Sequence, residues 1–303
     1  MTIGVAVNGV ETVAGDYWDN PNSMFHGFVR TADGTITAFD PEGSVQTFVT
    51  AINSKGAVTG NYDDADYNGH GFVRSVGGRT TSFDPPGEEY SVMPGGINKQ
   101  GVVAGWYLDA NAGVARGFLR NSDGSFVEFD ATGSYGTYAD CINGSGTSAG
   151  YYEDANFRAH GFVRTVDGTV TEFDPAGARS TTPTAINDRG TITGYYSGTQ
   201  GVSHGFVRMA DGTLTNFDVP NAIATSAMAI DTKGQITGSY TDAQYVIHGF
   251  LRAPGGALKS FDAEAGATST LPAEIANTGG KHSVIGGSLE DAQFVEHGFL
   301  RTD

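Results

Sequence analysis

The phrase His-Gly-Phe-[Val/Leu]-Arg opens at His26, His70, His160, His204, His248 and His297, and it returns with arginine first as Arg116-Gly117-Phe118-Leu119-Arg120. Successive copies are 44, 46, 44, 44, 44 and 49 residues apart. A fixed period of this size restricts the chain to a repeat array, whose units are too small to own a core and must bury their faces against one another. Length alone would suggest about two domains. The unbroken repeat overrides that and predicts a single domain over 1–303.

Each repeat contains four extended segments and no helical periodicity. Strand a ends at Ala51-Ile52-Asn53 or Ala185-Ile186-Asn187, and a tight turn follows, as in Asn53-Ser54-Lys55-Gly56. Asn first and Gly fourth suit a type I turn. Strand b is Val58-Thr59-Gly60-Asn61-Tyr62 or Ile192-Thr193-Gly194-Tyr195-Tyr196, and strand c is the recurring phrase itself. A second tight turn, Ala32-Asp33-Gly34, leads to strand d, Thr35-Ile36-Thr37-Ala38-Phe39-Asp40.

Centring the c/d turn on Asp33 puts His26 opposite Asp40, Phe28 opposite Ala38 and Gly27 opposite Phe39. The same spacing sets Gly71 under Phe83, Gly117 under Phe129 and Gly161 under Phe173. An aromatic over a cross-strand glycine holds a hairpin together. Phe28 and Phe39 then point to opposite faces, so both faces must be buried. Blades around an axis meet that requirement. Strands a, b and c occur seven times and strand d six times. The expected fold is therefore all-β: a β-propeller of four-stranded blades of about 44 residues, most simply seven-bladed with the last blade lacking its outer strand.

The pattern A-I-N-x-x-G-x-[IV]-x-G-x-Y, then H-G-F-[VL]-R, then F-D-P resembles the HAF-type repeats of extracellular bacterial proteins. The likeness runs across essentially the whole chain. Departures are Gly in place of the family's Ala, Arg116, and an insertion at Asn277-Thr278-Gly279-Gly280-Lys281-His282. The resemblance implies an extracytoplasmic propeller, secreted or at the cell surface, and brings no reaction or site. No signal peptide is visible, since Met1-Thr2-Ile3-Gly4-Val5 runs directly into repeat sequence.

A formal charge of −17 argues against a nucleic-acid partner, which requires clustered Lys and Arg. No apolar run approaches the ~18 residues of a membrane span. Cys141 is the single cysteine and takes the place of Ala51, Ala185 and Ala229, which reads as a buried small residue and not a nucleophile. Catalytic signatures such as G-x-S-x-G, H-E-x-x-H and C-x-x-C are missing.

Two acidic rings remain. One pairs with strand c: His26 with Asp40, His70 with Asp84, Arg116 with Asp130, His160 with Asp174, His204 with Asp218, and His248 with Asp262. Arginine neither ligates a metal nor acts as a general base, so Arg116 marks these as structural cross-strand pairs. The other ring follows strand b: Asp19, Asp64, Asp109, Asp154, Asp242 and Asp291, with Gly198 as the exception. Its bland reading is an Asx-turn in each loop. Three residues beyond these carboxylates stand Tyr67, Phe157, Tyr245 and Phe294. An aromatic platform beside acceptors suits a sugar; packing between loops is the competing explanation. Clustered carboxylates also suit calcium, but the D-x-[DN]-x-[DN]-G loop is missing and no metal site or cofactor is indicated.

These readings favour a non-catalytic extracellular binding propeller that takes carbohydrate or a protein ligand on its long-loop face. The tentative contacts are Asp19, Asp64, Asp109, Asp154, Asp242 and Asp291 with Tyr67, Phe157 and Tyr245. The alternatives are a structural or protein-interaction propeller, and an enzyme with its site at the axis. The opposite face, with its tight turns, is expected to offer little relief.

Overall fold

The computed structural model describes residues 2–87, 89–279 and 282–303. Within them the strands form antiparallel units in chain order. The first unit is Thr2–Val7, Val13–Asp19, Met24–Arg30 and Ile36–Phe39. Five further units have four strands each, and the last has three: Ser269–Asn277, Ser283–Glu290 and Glu296–Thr302. No helix occurs among the described residues, and hence none long and apolar enough to cross a membrane. The chain is an all-β propeller.

The expected c/d register is present. Gly27 pairs with Phe39 and Phe28 with Ala38, and Gly71, Gly117 and Gly161 pair with Phe83, Phe129 and Phe173. A methyl group on Gly27 would lie 2.7 Å from the Phe39 ring, so only glycine leaves room for that cover. The second glycine of the repeat, in strand b, has another cause. Each inner strand carries a β-bulge, for example between Val49 and Ala51 or between Ala139 and Cys141. The bulge pushes a carbonyl toward strand b, and a methyl group on Gly105 would meet the Met93 oxygen at 2.6 Å.

The core lies between units rather than within them. Ala14 and Val29 of the first unit cluster with Val49, Val58 and Phe72 of the second. Phe162 packs toward the preceding unit in a cluster with Ala104 and Leu119, while Phe173 packs toward the following one with Ile192 and Phe206. Val7, Val13 and Phe28 join Val284 of the last unit, which closes the ring. Cation–π contacts reinforce the junctions between units consecutive in the chain: Arg74 lies 4.8 Å from the Phe39 centroid and Arg164 the same distance from that of Phe129. No unit can bury both of its faces alone, which is why the array folds as a ring.

Candidate functional site

On the long-loop face the two acidic rings are joined. A carboxylate can only accept, so five of the six strand-c histidines donate through Nδ1 to a strand-d aspartate. His26 does so to Asp40 at 2.8 Å, His70 to Asp84 at 2.9 Å, His160 to Asp174 at 2.6 Å, His204 to Asp218 at 3.0 Å and His248 to Asp262 at 2.7 Å. The far nitrogen of the ring faces the aspartate that follows strand b. Nε2 of His70 is 3.3 Å from Asp64, that of His248 3.3 Å from Asp242, and that of His160 3.6 Å from Asp154. For His26 and Asp19 the gap is 3.9 Å, and for His297 and Asp291 it is 3.0 Å. Burial pulls the His70 and His248 pKa values down, but two carboxylate partners each raise them above the ordinary value.

Arg116 makes the same bridge with two nitrogens, Nε to Asp109 at 2.7 Å and Nη1 to Asp130 at 2.5 Å. His160→Arg is therefore expected to leave stability within about 0.5 kcal/mol of wild type, as for an exposed ion-pair change. A thermal melt checks this. A drop of several degrees would show that the imidazole has a task guanidinium cannot perform.

The b/c loops hold Asp64, Asp109, Asp154, Asp242 and Asp291 in Asx-turns, while Asp19 accepts from the Asn22 amide at 2.6 Å. Asp154 Oδ1 accepts the N–H groups of Asn156 at 2.7 Å and Arg158 at 3.0 Å, and Asp64 accepts those of Asp66 and Asn68. Backbone donors are the main reason that the carboxyls of Asp64, Asp154, Asp242 and Asp291 sit below their ordinary pKa, whereas Arg116 is the main reason for Asp109. Gly198 builds the same loop with backbone bonds alone, and His204 correspondingly faces one carboxylate, that of Asp218.

The aromatic residue of these loops occupies a left-handed backbone conformation: φ is 63° at Tyr67, 58° at Phe157, 64° at Tyr245 and 60° at Phe294. The equivalent place in other units is held by Gly113, Gly201 and Ser23. Non-glycine residues reach that region at a cost of roughly 1–2 kcal/mol. The four rings are 64–80% exposed, so little burial offsets the cost. Phe157 meets one ring, Tyr135, edge-on at 4.8 Å.

The tight-turn face is not flat, contrary to the expectation from its short turns. A cavity of about 640 Å³ runs along the axis from the inner-strand bulges to the a/b turns. A ladder of asparagines circles it. Each Asn closes its own turn through Oδ1, as Asn53 does with the N–H groups of Lys55 and Ala57. Its Nδ2 then donates to the carbonyl of the next equivalent residue: Asn8 to Asn53, Asn53 to Asn98, Asn98 to Asn143, Asn143 to Asn187, and Asn187 to Asp231, at 2.9–3.3 Å. Asp231 ends the series because its carboxylate has no proton to pass on.

Of the four acids that line this cavity, two lie on inner strands, Asp140 at the bulge of its strand and Glu274 one residue beyond its own. Both residues are half-buried and line the cavity. Burial raises the pKa of Asp140 to about 8 and that of Glu274 to about 7. Cys141 beside them is half-buried, with its thiol pushed well up by burial first and the Asp140 charge second; such a thiol is no nucleophile near neutral pH. Among the described residues no group of three or more His, Cys, Asp or Glu could hold a metal ion.

No protein-family model matches the chain, and no curated protein matches it in sequence. Its likeness to known proteins is one of shape. The β-propeller domain of the Trilobed protease from Pyrococcus furiosus superposes with a TM-score of 0.66 at 9% identity, covering 100% of this chain and 96% of that one. Virginiamycin B lyase from Staphylococcus aureus gives 0.61 at 15% identity, with 99% and 94% covered. The BP39L lectin from Burkholderia pseudomallei gives 0.61 at 9% identity, again over 99% and 94%. A lyase, a protease domain and a lectin share the frame, so the frame carries no chemistry of its own.

Sequence reasoning missed the asparagine ladder and the axial acids. Both had a signal. Asn recurs at every a/b turn until Asp231 interrupts it, and Asp140 stands where other repeats carry Thr50, Gly95, Thr184, Met228 and Ala273. What the repeat pattern did not show is that bulged residues point to the axis.

Proposed function

We propose that this chain is a non-catalytic, extracytoplasmic carbohydrate-binding propeller of the HAF-repeat type, with one shallow site on the long-loop face in each of the four units that carry an exposed aromatic there. The observation that carries the proposal is the set of exposed aromatics at Tyr67, Phe157, Tyr245 and Phe294 in a backbone conformation that favours glycine. A ring retained there against backbone preference and without burial has its gain elsewhere, and stacking on a sugar face is such a gain. Beside each ring is an ionised aspartate whose Oδ1 is committed to the turn, while Oδ2 looks toward the strand-c histidine. Asp154 Oδ2 lies 3.6 Å from His160, which leaves it able to accept from a hydroxyl. Repetition around the ring supplies avidity to weak individual sites.

The test separates binding from folding. In a Tyr67→Gly, Phe157→Gly, Tyr245→Gly, Phe294→Gly variant, glycine relieves the left-handed backbone but adds unfolded-state entropy. Stability is expected to stay level or to rise by up to about 1 kcal/mol per site. Binding on a glycan array should be lost. Glycan binding that survives the fourfold change would overturn the proposal.

A further inference from the structure

The axial cavity carries groups that the repeat does not account for. Four carboxylates line it, those of Asp140, Asp188, Asp231 and Glu274, against one cation, Lys99. Three of the four are committed at least in part to protein donors. Asp188 accepts the Gly144 N–H at 2.7 Å, Asp231 those of Lys233 and Gln235 at 2.9 and 2.8 Å, and Glu274 that of Ile275 at 3.1 Å. Among the described residues the Asp140 carboxyl has no hydrogen-bond or ion-pair partner. Thr50 and Thr184, in the same place of their own units, turn their hydroxyls onto backbone carbonyls, that of Thr59 at 3.3 Å and that of Ala227 at 3.1 Å. A carboxylate has no proton to give a carbonyl, so Asp140 cannot take over the part threonine plays.

Glu274 stands three units further round the ring, and the two acids act on one space, since both of their charges raise the Cys141 thiol. Apolar side chains complete the wall: Ile52, Ile142 and Met228 are half-buried and line the cavity. Exposed a/b-turn residues, among them Ser54 and Thr232, mark its mouth. A volume of about 640 Å³ suits a small molecule. An incoming positive charge would stabilise the ionised form of an unpartnered carboxyl, and the apolar wall would cover a body of carbon. We infer that the axial cavity binds a small organic cation, a protonated amine with an apolar body, whose ammonium group is held by Asp140 and Glu274. This site lies apart from the aromatic loops, so a loss of sugar binding would leave it untouched.

Binding should depend on pH. Burial holds Asp140 toward its neutral form, with a pKa of about 8, and an ammonium ion needs the charged one. The other titratable groups around Asp140 are Lys99 of the preceding unit, Tyr138, Cys141 and Tyr151 of its own, Asp188 of the following unit, and Asp231 and Glu274 further round. Glu274, raised to about 7, acts in the same direction. Affinity for an amine should therefore rise about tenfold or more from pH 6 to pH 8, with release of a proton.

The probes are hexylamine, hexanol and hexanoate, which share a body and differ in charge, added to the full chain at physiological salt. Hexylamine should bind one to one in calorimetry and shift the Met228 methyl resonance. Hexanol should bind at least about tenfold more weakly, and hexanoate not at all. Asp140→Asn and Glu274→Gln should each weaken hexylamine by about tenfold, as for loss of a charge-assisted hydrogen bond. Asp211→Asn makes the same charge change in a c/d turn outside the cavity and should leave the affinity unchanged. No binding of hexylamine at millimolar concentration would overturn the inference, as would hexanol binding equally well. So would an affinity that Asp211→Asn lowers as much as Asp140→Asn, which would reduce the effect to a general attraction of cations to an acidic protein.

Discussion

Phe162→Ala is expected to lower the unfolding free energy by roughly 3–5 kcal/mol, the range for emptying a large aromatic site in a core. Phe162 has no exposed surface, meets the Phe129 ring edge-on at 5.9 Å, and packs with Leu119, Ala139 and Tyr152. The walls of that site belong to two different units, each held by its own hydrogen-bonded ladder. They cannot move inward to fill the space, so most of the cavity term should persist. Denaturant unfolding with an unchanged slope is the measurement. A loss below about 1 kcal/mol would contradict a core placed between units.

Asp140→Asn is expected to stabilise the protein, and increasingly so as pH rises. The native carboxyl titrates near 8, while its unfolded value is the ordinary 3.8. Between those values the folded state holds a proton that the unfolded chain has released, so the Asp140 contribution falls as pH rises through the window. Below about pH 4 both states are protonated and the variant should match wild type. Near pH 8 it should gain on the order of 1 kcal/mol, the low end for a buried polar group without a partner, because Asp140 is half-buried and borders the cavity. Glu274, raised to about 7, and Asp16, raised to about 6 mainly by burial although it accepts from the Val49 N–H, act in the same direction. Melting curves of wild type and variant from pH 4 to 9 isolate Asp140 by difference. A gain that did not vary with pH would show that its carboxyl is ionised throughout.

The binding face and the axis differ in how symmetric they are. The long-loop face repeats Asp, His and aromatic with small variations, as suits several weak equivalent sites. The axis is asymmetric: Asp140 has no acidic counterpart at Thr50, Thr184 or Met228, and Glu274 none at Ala51, Ala185 or Ala229. Asymmetry of that kind is where a propeller hosting a single small ligand would show it.

The fold was legible in the sequence because its determinants are local or recur at one spacing. Fourteen residues separate His26 from Asp40 and His160 from Asp174, and a tight hairpin converts that spacing into a register without further information. Glycine under phenylalanine follows from the same arithmetic, and the need to bury both faces of a blade follows from period-two alternation. The candidate site was legible only in part. The Asp of each b/c loop could be read as a turn former, but its approach to a histidine six residues on depends on how the loop folds back over strand c. That Tyr67 and Tyr245 stand exposed in left-handed backbone, and do not pack between loops, is a result of tertiary geometry that no spacing encodes. The asparagine ladder and the axial cavity lie further from the sequence still. They join residues 44 or 45 positions apart, one per unit, and exist only once the ring has closed. Hydrophobic periodicity and turn chemistry determined the blade; the curvature set by packing one blade on the next decided what meets at the axis.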